Sequence, residues 1–345
     1  MKILLKMTKK IYIDRMSILY ALSLKRLWNI ILLKTSYTLS LILKKQIHFG
    51  MPYSISIEPT TSCNLQCPEC PSGLRKFSRK TGMLNEETFN DVLSQLGDYL
   101  MYMILYFQGE PYLNPWFFKF VEMAKQKKIY TATSTNAHFM DEENARRTVA
   151  SGLNRLIISL DGIGQEAYAT YRVGGRYQKV IDGISNIVKV KKELKSKTPH
   201  IVVQFIVFKS NEHQINEVKK LCADLGVDEL QFKSAQLYDY KNGNPLMTTI
   251  DKYSRYKKQS DGTYSYKNPL HNKCYRLWSS SVITWDGKTV PCCFDKDADY
   301  KLGDLKVDSF EEIWNGKDYQ DFRKQVFTKR KSIEICRNCT EGLKR

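Results

Sequence analysis

Cys63-Asn64-Leu65-Gln66-Cys67-Pro68-Glu69-Cys70 follows directly on the alternating apolar run Ser54-Ile55-Ser56-Ile57-Glu58-Pro59. Three cysteines spaced C-x3-C-x2-C after a strand gather three thiolates in one short loop, a soft donor set suited to iron-sulfur chemistry. A structural zinc site would want a fourth protein ligand nearby, and the next cysteine in the chain is Cys222. Three ligands leave one metal position open.

From residue 51 onward, short β-rich runs alternate with helix-period runs, the pattern of repeated βα units around a parallel sheet. Strands are expected at Ser54 to Glu58, Met101 to Phe107, Tyr130 to Thr133, Arg155 to Leu160, Ile201 to Phe208 and Glu229 to Phe232. Helices fill the gaps. Asn85-Glu86-Glu87, Asp141-Glu142-Glu143 and Asn211-Glu212 read as capped starts, Asn114-Pro115 places proline at a first helical position, and Gly97, Gly152 and Gly226 mark helix ends. Six βα units are too few to close an eight-stranded barrel, so an α/β fold built as an open, partial (β/α)6 TIM-like barrel is expected over residues 51–235.

The unusual residues all fall just past a strand's carboxyl end. The cysteines follow the first strand, Gln108-Gly109-Glu110-Pro111 the second and Ser134-Thr135-Asn136 the third; Ser159-Leu160-Asp161-Gly162 closes the fourth. Loops and helix N-termini converge on that rim in parallel βα folds, which makes it the place for a ligand.

With the cysteine loop and Gly109-Glu110-Pro111 behind the second strand, the chain resembles the radical S-adenosylmethionine (radical SAM) superfamily. The resemblance implies a [4Fe-4S] cluster on Cys63, Cys67 and Cys70 whose fourth iron binds the amine and carboxylate of SAM. One electron then cleaves SAM to methionine and a 5′-deoxyadenosyl radical that abstracts a substrate hydrogen. Gly109 and Glu110 would orient the SAM amine, glycine by close backbone approach and the carboxylate as partner of an ammonium; this chain has Gln108 where the family often has a second glycine. Ser134, Asn136, Ser159 and Asp161 are similar in position to ribose or carboxylate contacts, and Arg172 to an arginine that pairs with the SAM carboxylate. His138, near the same rim, reads as a hydrogen-bonded structural histidine, with substrate contact as the alternative.

Past residue 235 the βα rhythm gives way to a polar, tyrosine-rich connector, and residues 236–345 read as that connector and a small α+β domain. Asp286-Gly287 between two β-rich runs signals a hairpin that delivers Pro291-Cys292-Cys293, and helices are expected at about Ser309 to Trp314 and Asp318 to Lys329. Cys274, Cys292, Cys336 and Cys339 supply four thiolates, enough to close a site with protein ligands alone. Cys293 is the alternative to Cys292, because neighbouring strand residues face opposite ways. The segment resembles the SPASM and twitch auxiliary domains of radical SAM enzymes, which implies one auxiliary [4Fe-4S] cluster here. A zinc ribbon is the competing reading. Cys222 reads as core.

At 345 residues and 42% hydrophobic, the chain has material for a large core, and its grouped cysteines argue for metal ligation in a reducing compartment rather than a disulfide framework. Its net charge is +18, and residues 1–50 carry ten Lys and Arg against one acid, Asp14. This basic helical extension lacks a run of the ~20 apolar residues that spans a bilayer. It fits a helix on an anionic membrane surface or a helical extension packed on the domain, in a cytoplasmic protein that is peripheral at the inner membrane in the first case.

An auxiliary cluster that accepts an electron from the substrate radical implies a net oxidation, and the four-cysteine unit resembles that of aminoglycoside-pathway alcohol dehydrogenases of the radical SAM group, which implies a sugar, cyclitol or glycan unit as the substrate. A peptide-modifying maturase is the second reading, and a zinc-dependent RNA- or membrane-binding module the alternative from another class. Flavodoxin or ferredoxin would donate the electron; nucleic acid is not an expected partner of the enzyme.

Overall fold

The computed structural model describes residues 2–339, with side chains from Lys10 onward. Two helices come first, α1 (Lys2–Ser17) and α2 (Leu24–Leu43). Then follow β1 (Ser54–Ile57), α3 (Pro71–Leu74), α4 (Glu86–Leu96), β2 (Tyr102–Ile104), α5 (Phe117–Gln126), β3 (Tyr130–Thr135), α6 (Glu142–Ser151), β4 (Arg155–Ser159), α7 (Gln165–Tyr171), α8 (Tyr177–Glu193), β5 (His200–Val207), α9 (Ile215–Leu225) and β6 (Glu229–Ser234). β1 to β6 lie side by side in chain order with every pair parallel, the expected partial barrel.

Strand alternation explains where the core sits. Ile55, Ile57, Met103, Leu105, Leu156, Ile158, Val203 and Phe205 face outward and are covered by the apolar faces of the helices, among them Phe89, Val92 and Leu96 of α4 and Phe117, Phe120 and Val121 of α5. Each such buried side chain contributes roughly 1.5–3 kcal/mol. The alternate strand residues face inward and are more polar, including Ser56, Tyr130, Arg155, Ser159, Gln204 and Glu229.

Asn85 and Asp141 cap their helices, accepting from Thr88 N and Asn144 N, and Gly152 and Gly226 end theirs with φ of 81° and 77°. Two expected helix starts are instead struts. Asn114 folds back to donate to Pro59 O and Leu84 O, so α5 begins at Phe117 rather than at Pro115. Asn211 is buried, accepts from Phe208 N and donates to Asp161 O and Ile206 O, which ties the β4 and β5 ends together.

The connector folds into a small antiparallel ribbon, β7 (Tyr256–Lys258) and β8 (Tyr264–Tyr266), which the sequence did not announce. Then come α10 (Arg276–Ser279), β9 (Ser280–Ile283), β10 (Lys288–Val290), β11 (Gly303–Asp304), α11 (Phe310–Asn315), α12 (Lys317–Lys329) and α13 (Glu334–Arg337). β9 and β10 form the hairpin around Asp286-Gly287. β9 also pairs in parallel with β1, so the C-terminal strands extend the barrel sheet to nine strands.

The N-terminal helices pack under the barrel. Asp14 is buried against Tyr130 and Arg155, and Arg155 also meets Glu229 at 2.6 Å. Arg26, 5% exposed, donates to Gly97 O and Lys127 O at the ends of α4 and α5. Ile47 O and Gly50 O accept from the indole nitrogens of Trp278 and Trp314. Among the described residues no single helix is long and apolar enough to cross a membrane.

Candidate active site at the cysteine rim

The loop after β1 is stitched to every neighbouring strand end. Glu58, fully buried, takes a two-pronged ion pair from Arg79 at 2.6 and 2.8 Å and accepts from Trp285 N, which fastens the rim to the β9–β10 hairpin. Pro71 starts α3 directly after Cys70. Gly73 lies so close to the loop that a Cβ there would sit 2.4 Å from Cys67 N. Ser72 Oγ accepts from Gly109 N at 2.8 Å, and Glu110 N donates to Ser62 O at 2.8 Å. Gly109 has φ of 72°, and a Cβ on it would meet Thr60 O at 2.3 Å, so a side chain is excluded both by conformation and by space.

Each of the three sulfurs meets a group from a different βα unit, Gln108 after β2, Asn136 after β3 and Arg172 at the end of α7. Asn136 Nδ2 donates to Cys63 Sγ at 3.9 Å, Arg172 Nη1 to Cys67 Sγ at 3.8 Å, and Cys70 Sγ donates to Gln108 Oε1 at 3.9 Å. Burial pushes the Cys63 thiol up to about 11, with Leu65 N–H opposing and Glu110 adding to it. Burial raises Cys67 as well, against the pull of Arg172. Burial keeps the Cys63 and Cys67 sulfurs as neutral thiols in the bare chain, and a cationic centre would reverse that preference by holding them as thiolates.

The carboxylates expected to face SAM are turned inward. Glu110 is 2% exposed and accepts from Thr135 Oγ1 at 2.7 Å, Asn136 N at 2.8 Å and Tyr112 N at 3.3 Å. Burial lifts its pKa to about 7 in spite of these bonds. Asp161 accepts from Ile206 N at 2.7 Å and from Arg172 Nε at 2.6 Å, and Arg172 Nη2 lies 2.5 Å from the same carboxylate oxygen. Burial alone would lower Arg172, but Asp161 and the Cys67 sulfur outweigh it and hold the guanidinium charged. Glu110, Asp161 and Arg172 thus brace the rim, a role that spacing could not reveal because it depends on which partner the fold brings near. Ser134 is half-buried and Ser159 7% exposed at their strand ends. His138 is held on both nitrogens, Nδ1 3.1 Å from Asn136 Oδ1 and Nε2 accepting from Arg176 N at 2.8 Å.

In the second group, Cys336 and Cys339 are buried, and Cys292 and Cys274 are partly so. Burial raises Cys292 well above the usual thiol range, and Cys293, Cys274 and Cys339 raise it further. Cys336 is raised by burial and by Cys274, and Arg330 opposes both. Cys293 is exposed and accepts from Arg276 Nη1 at 4.0 Å. It acts electrostatically on Tyr106 of the β2 loop and on Lys296. Lys296 also feels Cys70 and Glu69, and its Nζ lies 3.5 Å from Tyr238 Oη. Lys296, within electrostatic reach of both Cys70 and Cys293 and 3.5 Å from Tyr238 Oη, thus stands between the two cysteine groups, with Tyr106 and Arg276 on the Cys293 side; none of the four belongs to a sequence motif.

None of the nine cysteines is in a disulfide, and no three His, Cys, Asp or Glu among the described residues converge on a single-ion site. Each cysteine would bind a different iron of a [4Fe-4S] cluster, so its ligands need not converge on one point. The donor set fits such a cluster: soft sulfurs after a strand, N–H groups aimed at two of them, and a glycine cradle alongside.

The family model for the radical SAM superfamily matches residues 57–222, and that for the SPASM iron-sulfur cluster-binding domain matches residues 274–340. Among curated proteins, the tungsten-containing aldehyde ferredoxin oxidoreductase cofactor-modifying protein of Pyrococcus furiosus is 24% identical over 311 residues, covering 82% of this chain and 86% of that protein. PqqA peptide cyclase of Bradyrhizobium diazoefficiens is 28% identical, covering 59% of this chain and 52% of that cyclase. In fold, the chain is similar to Streptococcus suis SuiB bound to S-adenosylmethionine, with a TM-score of 0.63, 14% identity and coverage of 90% of this chain and 76% of that one. It is also similar to BtrN in complex with AdoMet and 2-DOIA, with a TM-score of 0.53, 18% identity and coverage of 84% and 94%.

Proposed function

The chain belongs to the radical SAM superfamily and carries a SPASM iron-sulfur domain, and from that premise we propose that it oxidises a substrate held between its two cysteine groups. It is an enzyme with a SAM-binding [4Fe-4S] centre and auxiliary iron-sulfur chemistry, which sets aside the zinc-dependent binding module.

Cys63, Cys67 and Cys70 would hold the catalytic cluster, and Cys274, Cys292, Cys336 and Cys339 one auxiliary cluster. When bound, the catalytic cluster and SAM supply a one-electron cleavage and with it a hydrogen-atom acceptor. The chain's own part is positioning. Gly109 lets backbone approach the SAM amine, while Glu110 fixes the end of β3 from within rather than reaching the ligand. Ser134, Asn136 and Ser159 would make ribose or carboxylate contacts. Arg172, braced by Asp161, keeps positive charge beside Cys67 and toward the SAM carboxylate.

The observation that carries this reading is the placement of Lys296, within electrostatic reach of both Cys70 and Cys293, with Tyr238 and Arg276 beside it. A substrate held by these groups would have the hydrogen acceptor on one side and the auxiliary sulfurs on the other. Loss of a hydrogen atom to one side and of an electron to the other is a net two-electron oxidation. A sugar, cyclitol or glycan unit is the first substrate class, and the two cations suit one bearing carboxylate or phosphate. A peptide substrate is the second, favoured by the relatives named PqqA peptide cyclase. Flavodoxin or ferredoxin supplies the starting electron.

Anaerobically purified protein should contain about eight iron and eight sulfide per chain, as two [4Fe-4S] clusters require. Incubated with SAM, dithionite and deuterated candidate glycans or peptides, it should transfer deuterium into 5′-deoxyadenosine from one class only. Stoichiometric zinc without sulfide would sink the assignment, and transfer from peptides alone would replace the first class by the second.

A further inference from the structure

An amphipathic helix on a water-soluble domain turns its apolar stripe inward. α2 does the reverse. Its buried residues are Arg26, Asn29, Leu33, Ser36 and Ser40, a single apolar side chain among polar ones. Its outward residues include Leu24, Leu27, Trp28, Ile31, Leu41 and Ile42, each 40–87% exposed. Positions 24, 27, 28 and 31 share one helical face. The end of α1 is built the same way: Asp14 points into the barrel while Tyr12, Ile13 and Met16 point out, and Leu19 and Tyr20 follow.

Cations border this apolar surface. Lys34, Lys44 and Lys45 are exposed on or just past α2, and Lys192, Lys195 and Lys197 lie at the end of α8. Between α1 and that end of α8 opens a groove of about 880 Å³, lined by Tyr12, Ile13, Met16 and Tyr20 with the α8 lysines at its lip.

We propose that α1 and α2 form an interfacial anchor that lies in the headgroup layer of an anionic bilayer. Exposed Trp, Tyr and Leu beside Lys is the composition of an interfacial helix, and the two helices are bent by 102° at their junction, too sharply for one continuous span. A second copy is the wrong occupant. Residues 1–50 hold ten cations and one acid, and that acid, Asp14, is buried against Arg155, so a symmetric dimer would oppose like charges. The surface needs a partner that is both apolar and anionic, which an acidic phospholipid layer is.

The anchor also sets orientation. α1 and α2 cover the amino ends of the strands and the cysteine rim lies at their carboxyl ends, one strand length or roughly 17–20 Å away. The rim faces water, not lipid. This inference is independent of the substrate proposed above.

Full-length protein should float with vesicles of phosphatidylglycerol and phosphatidylcholine in equal parts, bind phosphatidylcholine vesicles less, and be released by salt. Trp28→Ser with Ile31→Ser should lower partition on the order of a hundredfold. Lys44→Gln with Lys45→Gln should lower it about tenfold. Both variants should keep the circular dichroism spectrum and SAM cleavage. Wild type that stays with the unbound fraction on phosphatidylglycerol vesicles overturns the proposal, as does a Trp28/Ile31 variant that floats equally well. A wild-type dimer by light scattering that this variant turns to monomer, with vesicle binding unchanged, overturns it in favour of a protein interface.

Discussion

Cys67 and Cys293 carry the same atom in opposite settings. Cys67 is buried with Arg172 donating to its sulfur, whereas Cys293 is exposed beside Arg276. Cys67→Ala is expected to reduce reductive SAM cleavage to background and to lower iron content, while Cys293→Ala keeps both, as iron analysis and 5′-deoxyadenosine formation will show. Equal loss in the two variants would reverse the assignment of Cys292. Glu110 gives a pH signature. Its folded pKa is raised from 4.5 to about 7, so between those values the folded apoprotein holds a proton that the unfolded chain has released. That group's contribution to stability therefore falls as pH rises through the window, by at most about 3 kcal/mol, and is flat above it. Urea unfolding of apoprotein at pH 5 and pH 8 should show a smaller pH dependence in Glu110→Gln than in wild type.

Arg26 works on whole elements. Its guanidinium donates to Gly97 O at 2.8 Å and Lys127 O at 2.7 Å, where the carbonyl ends of α4 and α5 gather negative charge. Burial lowers its pKa, yet four carbonyls share its hydrogens. Arg26→Met should cost about 3 kcal/mol, since the carbonyls lose their donor under cover. The neighbouring Lys25, paired with Asp98 at 2.8 Å in full solvent, is the comparison: Lys25→Met should move urea stability by less than about 0.5 kcal/mol. The elements themselves were largely legible in sequence, because alternation and caps are local signals; Asn85 and Asp141 cap as expected. Asn114 and Asn211 misled for the same reason: an asparagine before a helix caps it only when its side-chain oxygen is free to accept from the first turn, and here Oδ1 is taken by Trp116 N, ahead of α5, and by Phe208 N.

At the scale of the molecule, the N-terminal segment is part of the body and not an appendage. Asp14 closes the barrel floor against Tyr130 and Arg155, while Ile47 and Gly50 receive Trp278 and Trp314 from the C-terminal unit. Deleting residues 1–50 should therefore yield aggregated protein without cooperative unfolding. Asp14→Asn should fold and lose about 1–3 kcal/mol in urea titration, because Arg155 keeps Glu229. A well-folded truncation would show that these contacts are dispensable.

The chain by itself determined the six βα units, the rim on which Cys63, Cys67, Cys70, Gly109 and Asn136 meet, and the resemblance that the family matches bear out. All of these rest on short-range signals: period, spacing, and the fixed place of a loop after its strand. Only the tertiary structure decided that Glu110 and Asp161 turn inward, that Cys293 faces Arg276, that β9 extends the barrel sheet and that α2 shows its apolar face to the outside. Each depends on a partner far away in sequence. A carboxylate, a thiol or a helix face takes the orientation that its distant neighbours satisfy, and local pattern holds no record of which neighbours those are.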